Sequence, residues 1–119
     1  MIDIHAHILP QVDDGSPSIE CSLEMARLAV ESGVAAMIAT PHCNLPDSGA
    51  PLWSDALTRR AQELSRVLEE RGIPLRLYAG MEIFGTPDTA EKLRRGKLCT
   101  LAGSRYPLIE FPFHDYGRE

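Results

Sequence analysis

The chain lacks most features that would direct a protein out of the cytosol. Its three cysteines among 119 residues are widely spaced and form no C-x-x-C pair, which argues against a disulfide framework and favours a reducing compartment. No window approaches the run of roughly 18 apolar residues that a membrane span requires. Met1 leads directly into a predicted strand, without the basic and apolar segments of a signal peptide. We therefore expect a cytoplasmic protein with no membrane span.

Positive charge is also scarce. Lys and Arg number 12 against 17 Asp and Glu, which gives a formal net charge of −5, and the two signs are mixed along the chain. There is no basic stripe for a nucleic acid and no polybasic segment for a membrane surface. If the protein handles a phosphorylated ligand, metal ions would have to supply much of the positive charge. The length allows one domain at most, spanning residues 1–119.

Strand and helix patterns alternate along the sequence. Strand patterns cover residues 2–7, 34–40, 75–79 and 106–111, and helical patterns cover 19–32, 52–71 and 88–95. Ser18 is placed to cap the first helix and Gly33 to end it, and residues 43–51 have the composition of a loop. The order β-α-β-α-β-α-β predicts an α/β fold with parallel strands and helices outside.

Metal-ligating residue types lie at or just after the carboxyl end of each predicted strand. His5 and His7 are two positions apart and therefore project from one face of the first strand. His42 follows the second strand, Glu82 the third, and Glu110 ends the fourth. The carboxyl ends of parallel strands lie along one edge, so these side chains are expected to converge. Imidazoles and carboxylates together indicate a metal site.

Each of these signals has a plainer explanation when taken alone. An isolated H-x-H pair is also compatible with surface histidines, and Asp13-Asp14-Gly15 with an ordinary turn. Glu82 and Glu110 could form salt bridges with Arg or Lys. A buried carboxylate without a partner is costly, however, and a cation is its natural compensation.

Four segments of the chain resemble the PHP (polymerase and histidinol phosphatase) family. They are MIDIHAHILPQVDDG (1–15), ATPH (39–42), AGMEI (79–83) and SRYPLIEF (104–111). Within that family the chain most resembles the bacterial manganese-dependent protein-tyrosine phosphatases of capsule and exopolysaccharide synthesis. The V-D-D-G sequence after H-x-H and the later YPLIEF are specific to this branch. The resemblance extends over essentially the whole chain.

The resemblance implies a fold larger than this chain. Members of the branch are roughly twice as long and form a distorted parallel barrel of about seven β/α units. Residues 1–119 would be a single partial domain, the N-terminal half with about four of those units. The family's later ligand histidine, its D-x-H pair and its phosphate-binding arginines would lie downstream. Strands one and four would then have open edges, which a homo-oligomer or the missing C-terminal half would cover.

The resemblance also implies a set of metal ligands. They are His5, His7, Asp14, His42, Glu82 and Glu110. The two histidines of the H-x-H pair and the first glutamate would bind one metal. That glutamate would bridge to a second metal, which the last glutamate also binds, and Asp14 with His42 would belong to a third. Asp13 would instead orient the loop or a ligand. Up to three divalent ions are implied, with manganese expected and iron or zinc as alternatives.

The implied activity is hydrolysis of phosphotyrosine by metal-activated water. The substrate would be a phosphotyrosine protein, for example a bacterial tyrosine kinase. The resemblance implies that no cysteine acts as the nucleophile. Cys43 itself is followed by no C-x5-R pattern and is interpreted as a loop thiol. Two other functions stay open: a non-catalytic metal-binding fragment or assembly module, and a small-molecule phosphoesterase such as a histidinol phosphatase. The missing segment leaves the activity of this chain alone undecided.

Overall fold

In the computed structural model, residues 1–45 and 54–111 are described, and they form alternating short strands and helices. The strands are β1 (Ile2–Ala6), β2 (Ala36–Ala39), β3 (His42–Cys43), β4 (Arg76–Ala79), β5 (Glu82–Phe84) and β6 (Leu108–Glu110). The helices are α1 (Ile19–Glu31), α2 (Ser54–Glu70) and α3 (Thr89–Arg94), with a 3₁₀ turn at Leu101–Gly103.

The strands form two small parallel sheets. The first has the order β1-β2-β4 and the second the order β3-β5-β6. All four strand pairs are parallel, and the pairing places His42 opposite Glu82 and Phe84 opposite Glu110. The predicted α/β fold with parallel strands is therefore confirmed.

Two strands of the second sheet lie beyond the predicted strands. The second and third predicted strands, residues 34–40 and 75–79, correspond to β2 and β4, and the chain forms β3 from His42 and β5 from Glu82 only after a break in each case. Pro41 at the first break has no N–H to continue a ladder. Gly80 at the second break lies so close to β2 that a Cβ there would be 2.9 Å from Cγ2 of Ile38. The expected count of four strands is consequently not confirmed, because six shorter strands are present in the described residues.

The loop predicted for residues 43–51 was wrong at its first residue. Cys43 lies in β3, pairs with Ile83 and is buried, because the chain adds a short strand after Pro41 before it turns. The remainder of that predicted loop from residue 46, and the start predicted for the second helix at residues 52–53, lie outside the described residues.

The helix ends follow the predicted signals. The Ser18 side chain accepts a hydrogen bond from the Cys21 N–H at 3.1 Å, which makes it the N-cap of α1. Gly33 has a φ of 97° directly after the C-cap residue, Ser32. A side chain there would be strained, so the glycine ends the helix where the sequence predicts.

The helices bury one apolar face each against the strands. The core includes Leu23 and Ala26 from α1, Leu57, Ala61, Leu64 and Leu68 from α2, and Met37, Ala39 and Ile83 from the strands. The edge strand β1 is different, since Ile2 and Ile4 remain 64% and 53% exposed. None of the helices within residues 1–45 and 54–111 is long and apolar enough to cross a bilayer.

Candidate metal centre

The six predicted ligands come together at one end of the two sheets. Their ligand atoms fall into three overlapping groups, with every atom of a group within 4.8 Å of the others. The groups are His5, His7 and Glu82; His42, Glu82 and Glu110; and His7, Asp13, Asp14 and His42. Strands β1, β3, β5 and β6 and the loop after β1 thus contribute to one cluster, as expected for the carboxyl ends of parallel strands.

Glu82 is at the centre of the cluster. Its Oε1 atom lies 2.9 Å from Nε2 of His5, 3.0 Å from Nε2 of His7 and 3.5 Å from Nδ1 of His42. Ligand atoms about 2.1 Å from one cation, at tetrahedral or octahedral angles, are roughly 3.0–3.4 Å apart. The spacing around this carboxylate is therefore close to that of a metal shell.

Two buried atoms of the cluster have no hydrogen-bond partner. They are Nδ1 of His42 and Oε1 of Glu110, which lie 3.6 Å apart. A buried polar atom without a partner costs about 1–3 kcal/mol. A divalent cation bound by both atoms would remove this cost, so the donor set fits a metal ion.

The two neighbouring aspartates make different contacts. Oδ2 of Asp13 lies 2.7 Å from Nδ1 of His7 and accepts the His42 N–H at 2.9 Å, while Oδ1 accepts the Gly15 N–H at 2.9 Å. Asp14 is 85% exposed, and its Oδ1 lies 3.7 Å from Nε2 of His42. Asp13 is thus occupied in orienting a histidine and its own loop, a common arrangement behind metal ligands, whereas the Asp14 carboxylate is open.

Electrostatics couple His7 to Asp13. Burial lowers the pKa of His7, but the hydrogen bond and charge of Asp13, together with Glu82, outweigh it and raise this pKa above its ordinary value. Burial raises the pKa of Asp13, but hydrogen bonds from His7 and from two backbone N–H groups hold it below its usual range. An ionised Asp13 favours a proton on Nδ1 of His7 and leaves Nε2 of His7 directed at Glu82.

The turn that carries these aspartates packs directly on His7. A Cβ added to Gly15 would lie 2.4 Å from the His7 carbonyl oxygen and 2.5 Å from the His7 Cβ. Glycine is therefore needed here for close approach of two backbone segments. The D-D-G sequence alone predicted a turn, and it gave no sign of this contact.

Two sets of hydrogen-bonding side chains near the cluster were not predicted from the sequence. Ser16 and Ser22 are fully buried, their hydroxyl oxygens lie 2.6 Å apart, and Ser22 also donates to the Ile8 carbonyl. Asn44, after β3, donates to the Phe84 carbonyl. Serine and asparagine are ordinary residues of turns and caps, so no sequence signal distinguishes these positions.

Cys43 is adjacent to the candidate ligand His42, but its thiol is not in a reactive form. Burial raises the pKa of its thiol to about 12, with further contributions from Cys99 and Asp13. The thiolate is the nucleophilic form of cysteine. A buried and protonated thiol does not provide one, in agreement with the expectation that Cys43 is not a nucleophile, although it lies in a strand and not in the expected loop.

The sequence profile described as "Capsular polysaccharide synthesis, CpsB/CapC" matches residues 1–118. The chain belongs to this family. It is 42% identical over 114 residues to the tyrosine-protein phosphatase YwqE of Bacillus subtilis, a match that covers 95% of this chain and 44% of YwqE. It is 34% identical over 119 residues to the tyrosine-protein phosphatase CpsB of Streptococcus pneumoniae, which covers 100% of this chain and 48% of CpsB.

A solved structure agrees with these sequence matches. It belongs to work on YwqE from Bacillus subtilis and CpsB from Streptococcus pneumoniae, described as "unique metal-dependent tyrosine phosphatases". The TM-score is 0.90 at 41% identity, over 95% of this chain and 45% of the other. The resemblance to capsule-associated tyrosine phosphatases is therefore confirmed. The CpsB/CapC chain described here spans slightly less than half the length of the relatives it matches.

Proposed function

We propose that this chain carries the metal-binding part of a protein-tyrosine phosphatase that hydrolyses phosphotyrosine with metal-activated water. The observation that carries the proposal is the Oε1 atom of Glu82, which lies within 3.5 Å of nitrogens from three histidines. The CpsB/CapC relatives are named tyrosine-protein phosphatases, and this supports the same reaction class here.

We propose six metal ligands, with Glu82 shared between two cations. One cation would take His5, His7 and Glu82. A second would take Glu82 with Glu110 and His42, whose buried Nδ1 has no other partner. Asp14 would belong to a third cation, which His42 would bind through Nε2 only in place of the second, because a neutral imidazole offers one nitrogen lone pair to a metal.

Manganese is the cation we propose for these positions. A set of imidazoles mixed with carboxylate oxygens suits several divalent metals, and the share of oxygen ligands favours manganese over the more thiophilic ions. Iron and zinc are the alternatives that metal analysis has to distinguish.

Charge explains why the cluster needs cations before it can accept a phosphate. Four carboxylates, Asp13, Asp14, Glu82 and Glu110, surround three histidines. No ion pair between these carboxylates and a Lys or Arg occurs among the described side chains. An incoming phosphate dianion would be repelled by this surface. Bound divalent cations would reverse the local charge and polarise the phosphoryl group. They would also lower the pKa of water, so that hydroxide is available near neutral pH to attack the phosphorus atom.

The chain's own residues would then hold and orient the metal ligands. Asp13 would keep His7 in one ring orientation and one tautomer through the 2.7 Å contact with Nδ1. Glu82, 12% exposed, would fix the separation between neighbouring cations. Cys43 would take no part in the reaction because it is buried and protonated.

The test is hydrolysis of a tyrosine-phosphorylated peptide by the 119-residue chain in added Mn²⁺. We expect phosphate release that Glu82→Ala and His5→Ala each abolish and that Cys43→Ala preserves. A serine-phosphorylated peptide and histidinol phosphate serve as substrate controls for the small-molecule alternative. Release that survives Glu82→Ala, or that disappears in Cys43→Ala while the variant remains folded, would contradict the proposed mechanism.

A second function, a non-catalytic metal-binding or assembly module, is favoured by one observation. No arginine or lysine side chain pairs with the cluster's carboxylates within residues 1–45 and 54–111, so the phosphate would find no fixed positive charge from the chain there. Tight Mn²⁺ binding without phosphate release from any of the three substrates would select this alternative.

We further propose that the two sheets are part of a distorted barrel, that the protein is cytoplasmic, and that the phosphatase substrate is a tyrosine kinase.

A further inference from the structure

The strand that carries His42 is unusually short. β3 contains two residues, and its ladder with β5 consists of the pairs His42–Glu82 and Cys43–Ile83. Beyond Cys43 the ladder cannot continue, because Asn44 has a φ of 65° and turns the chain out of the extended conformation. So short a ladder has few backbone hydrogen bonds to fix the separation between His42 and Glu82.

The side chain of Asn44 replaces the missing backbone pairing. Its Nδ2 atom donates to the Phe84 carbonyl at 2.9 Å and lies 3.0 Å from Oγ1 of Thr86, while its Oδ1 atom accepts from Nζ of Lys92 at 2.7 Å. Phe84 is the last residue of β5. The carboxamide therefore ties the end of β3 to the end of β5 and to helix α3.

We propose that Asn44 is a positioning residue that holds His42 at its distance from Glu82. It lies two residues after His42, and its acceptor Phe84 lies two residues after Glu82, so one side-chain contact closes both strands directly beyond the two candidate ligands. Both polar atoms of the Asn44 carboxamide are already engaged, with Phe84, Thr86 and Lys92. This role rests on the proposed metal site and adds a residue that acts through His42 and does not bind the metal.

The residue type follows from two requirements at one position. A positive φ is tolerated by glycine and, among residues with side chains, best by asparagine and aspartate. Of these three, asparagine alone has an amide N–H to donate to a carbonyl. Asn44→Gly should therefore keep the backbone conformation and remove only the contact. Lys92→Met removes a neighbouring hydrogen bond to the same carboxamide and leaves both of its donors in place.

The first measurement is amide hydrogen exchange by NMR on the metal-free 119-residue chain. The Glu82 N–H donates to the Pro41 carbonyl at 2.9 Å and reports on the β3–β5 connection, and the Thr40 N–H donates to the Ala6 carbonyl at 2.7 Å and reports on the other sheet. In Asn44→Gly we expect the Glu82 amide to exchange about tenfold faster, with Thr40 changed less than about twofold. Lys92→Met should leave Glu82 within about threefold of the wild type.

Three results would overturn the proposal in this measurement. They are an unchanged Glu82 rate in Asn44→Gly, an equal acceleration of Glu82 and Thr40, and an acceleration in Lys92→Met as large as in Asn44→Gly. The first result would show that the Asn44 contact does not hold β3 to β5. The second would show that the substitution lowers the stability of the whole protein, and the third would assign the effect to Lys92. None of them depends on metal binding, so they judge Asn44 even if the chain binds no Mn²⁺ and the proposed function fails.

The second measurement is Mn²⁺ affinity by calorimetry well below the unfolding temperature. Loss of a residue that orients a metal ligand lowers affinity by about 10- to 100-fold, and we expect a loss in this range for Asn44→Gly. The matched control is Val67→Ala, in which a partly buried side chain of α2 packed on the core is shortened. Wild-type affinity in Val67→Ala supports positioning by Asn44. A loss in Val67→Ala equal to that in Asn44→Gly would show that stability alone sets affinity and would overturn the role.

Discussion

The Nδ1 atom of His42 and the Oε1 atom of Glu110 face each other across 3.6 Å, both buried and neither hydrogen bonded. They come from the two outer strands of one sheet, and Glu82 comes from the strand between them. One candidate ligand from each of three adjacent strands makes a candidate site that requires the whole sheet to be in register. Metal binding should consequently stabilise this sheet as well as prepare the chemistry.

The first prediction concerns Glu82. Glu82→Gln keeps the size of the side chain and removes the shared charge, so we expect the rise in unfolding temperature on addition of Mn²⁺ to be lost. The metal-free protein should be equally stable or slightly more stable, because one of four clustered carboxylates is gone. Thermal unfolding with and without Mn²⁺ measures both. Glu63→Gln, at an exposed position of α2, is the control, and an unchanged Mn²⁺ response in Glu82→Gln would contradict the site.

The second prediction separates the two aspartates. Asp13 accepts hydrogen bonds from two backbone N–H groups and contacts His7, so Asp13→Asn should lower the stability of the metal-free protein by about 1–3 kcal/mol. Asp14 is 85% exposed, so Asp14→Asn should leave that stability within about 0.5 kcal/mol and weaken Mn²⁺ binding. Urea unfolding and calorimetry measure the two effects. If Asp13→Asn kept the stability of the metal-free protein and Asp14→Asn lowered it, the roles of the two aspartates would be exchanged.

The third prediction concerns the contact between Gly15 and His7. In Gly15→Ala the added Cβ would meet the His7 backbone at 2.4 Å, and the displacement of the turn should cost about 1–3 kcal/mol and weaken Mn²⁺ binding. Gly72→Ala is the matched control, because Gly72 has a φ of +69° and open space around its Cα. It should cost about 1 kcal/mol and leave metal affinity unchanged. Equal metal affinity in both variants would mean that the turn does not position the ligands.

The fourth prediction concerns Cys43. Its pKa of about 12 leaves almost no thiolate at about pH 8, so iodoacetamide should not modify it in the folded protein. Peptide mapping by mass spectrometry should find it labelled only after unfolding, whereas the less buried Cys21 serves as an internal reference. Labelling of Cys43 in the folded protein at the rate of Cys21 would contradict the buried, protonated thiol described here.

The convergence of the candidate ligands was predictable from sequence because it depends on chain order and strand polarity. Each of His42, Glu82 and Glu110 follows or ends an apolar segment, and parallel strands bring such positions to one edge. The helix ends were predictable for a similar local reason, since the cap at Ser18 and the turn at Gly33 depend on neighbouring residues only.

The contacts that depend on distant segments could not be predicted. The short strands β3 and β5 were not predicted, and the break before β5 depends on how Gly80 packs against Ile38. The role of Asn44 requires the position of Phe84, which is 40 residues away in the chain. Asparagine after a strand has the same sequence pattern whether its amide meets solvent or a carbonyl, so only the tertiary structure distinguishes them.

The central claim is that the chain holds divalent cations between these particular side chains. Anomalous X-ray diffraction at the manganese absorption edge, on crystals of the chain grown with Mn²⁺, tests it most directly. We predict anomalous density bounded by Nδ1 of His42, Oε1 of Glu110 and the carboxylate of Glu82, and further density beside His5 and His7. Well-ordered side chains in the positions described here, with no anomalous density within about 2.5 Å of any of them, would contradict the claim.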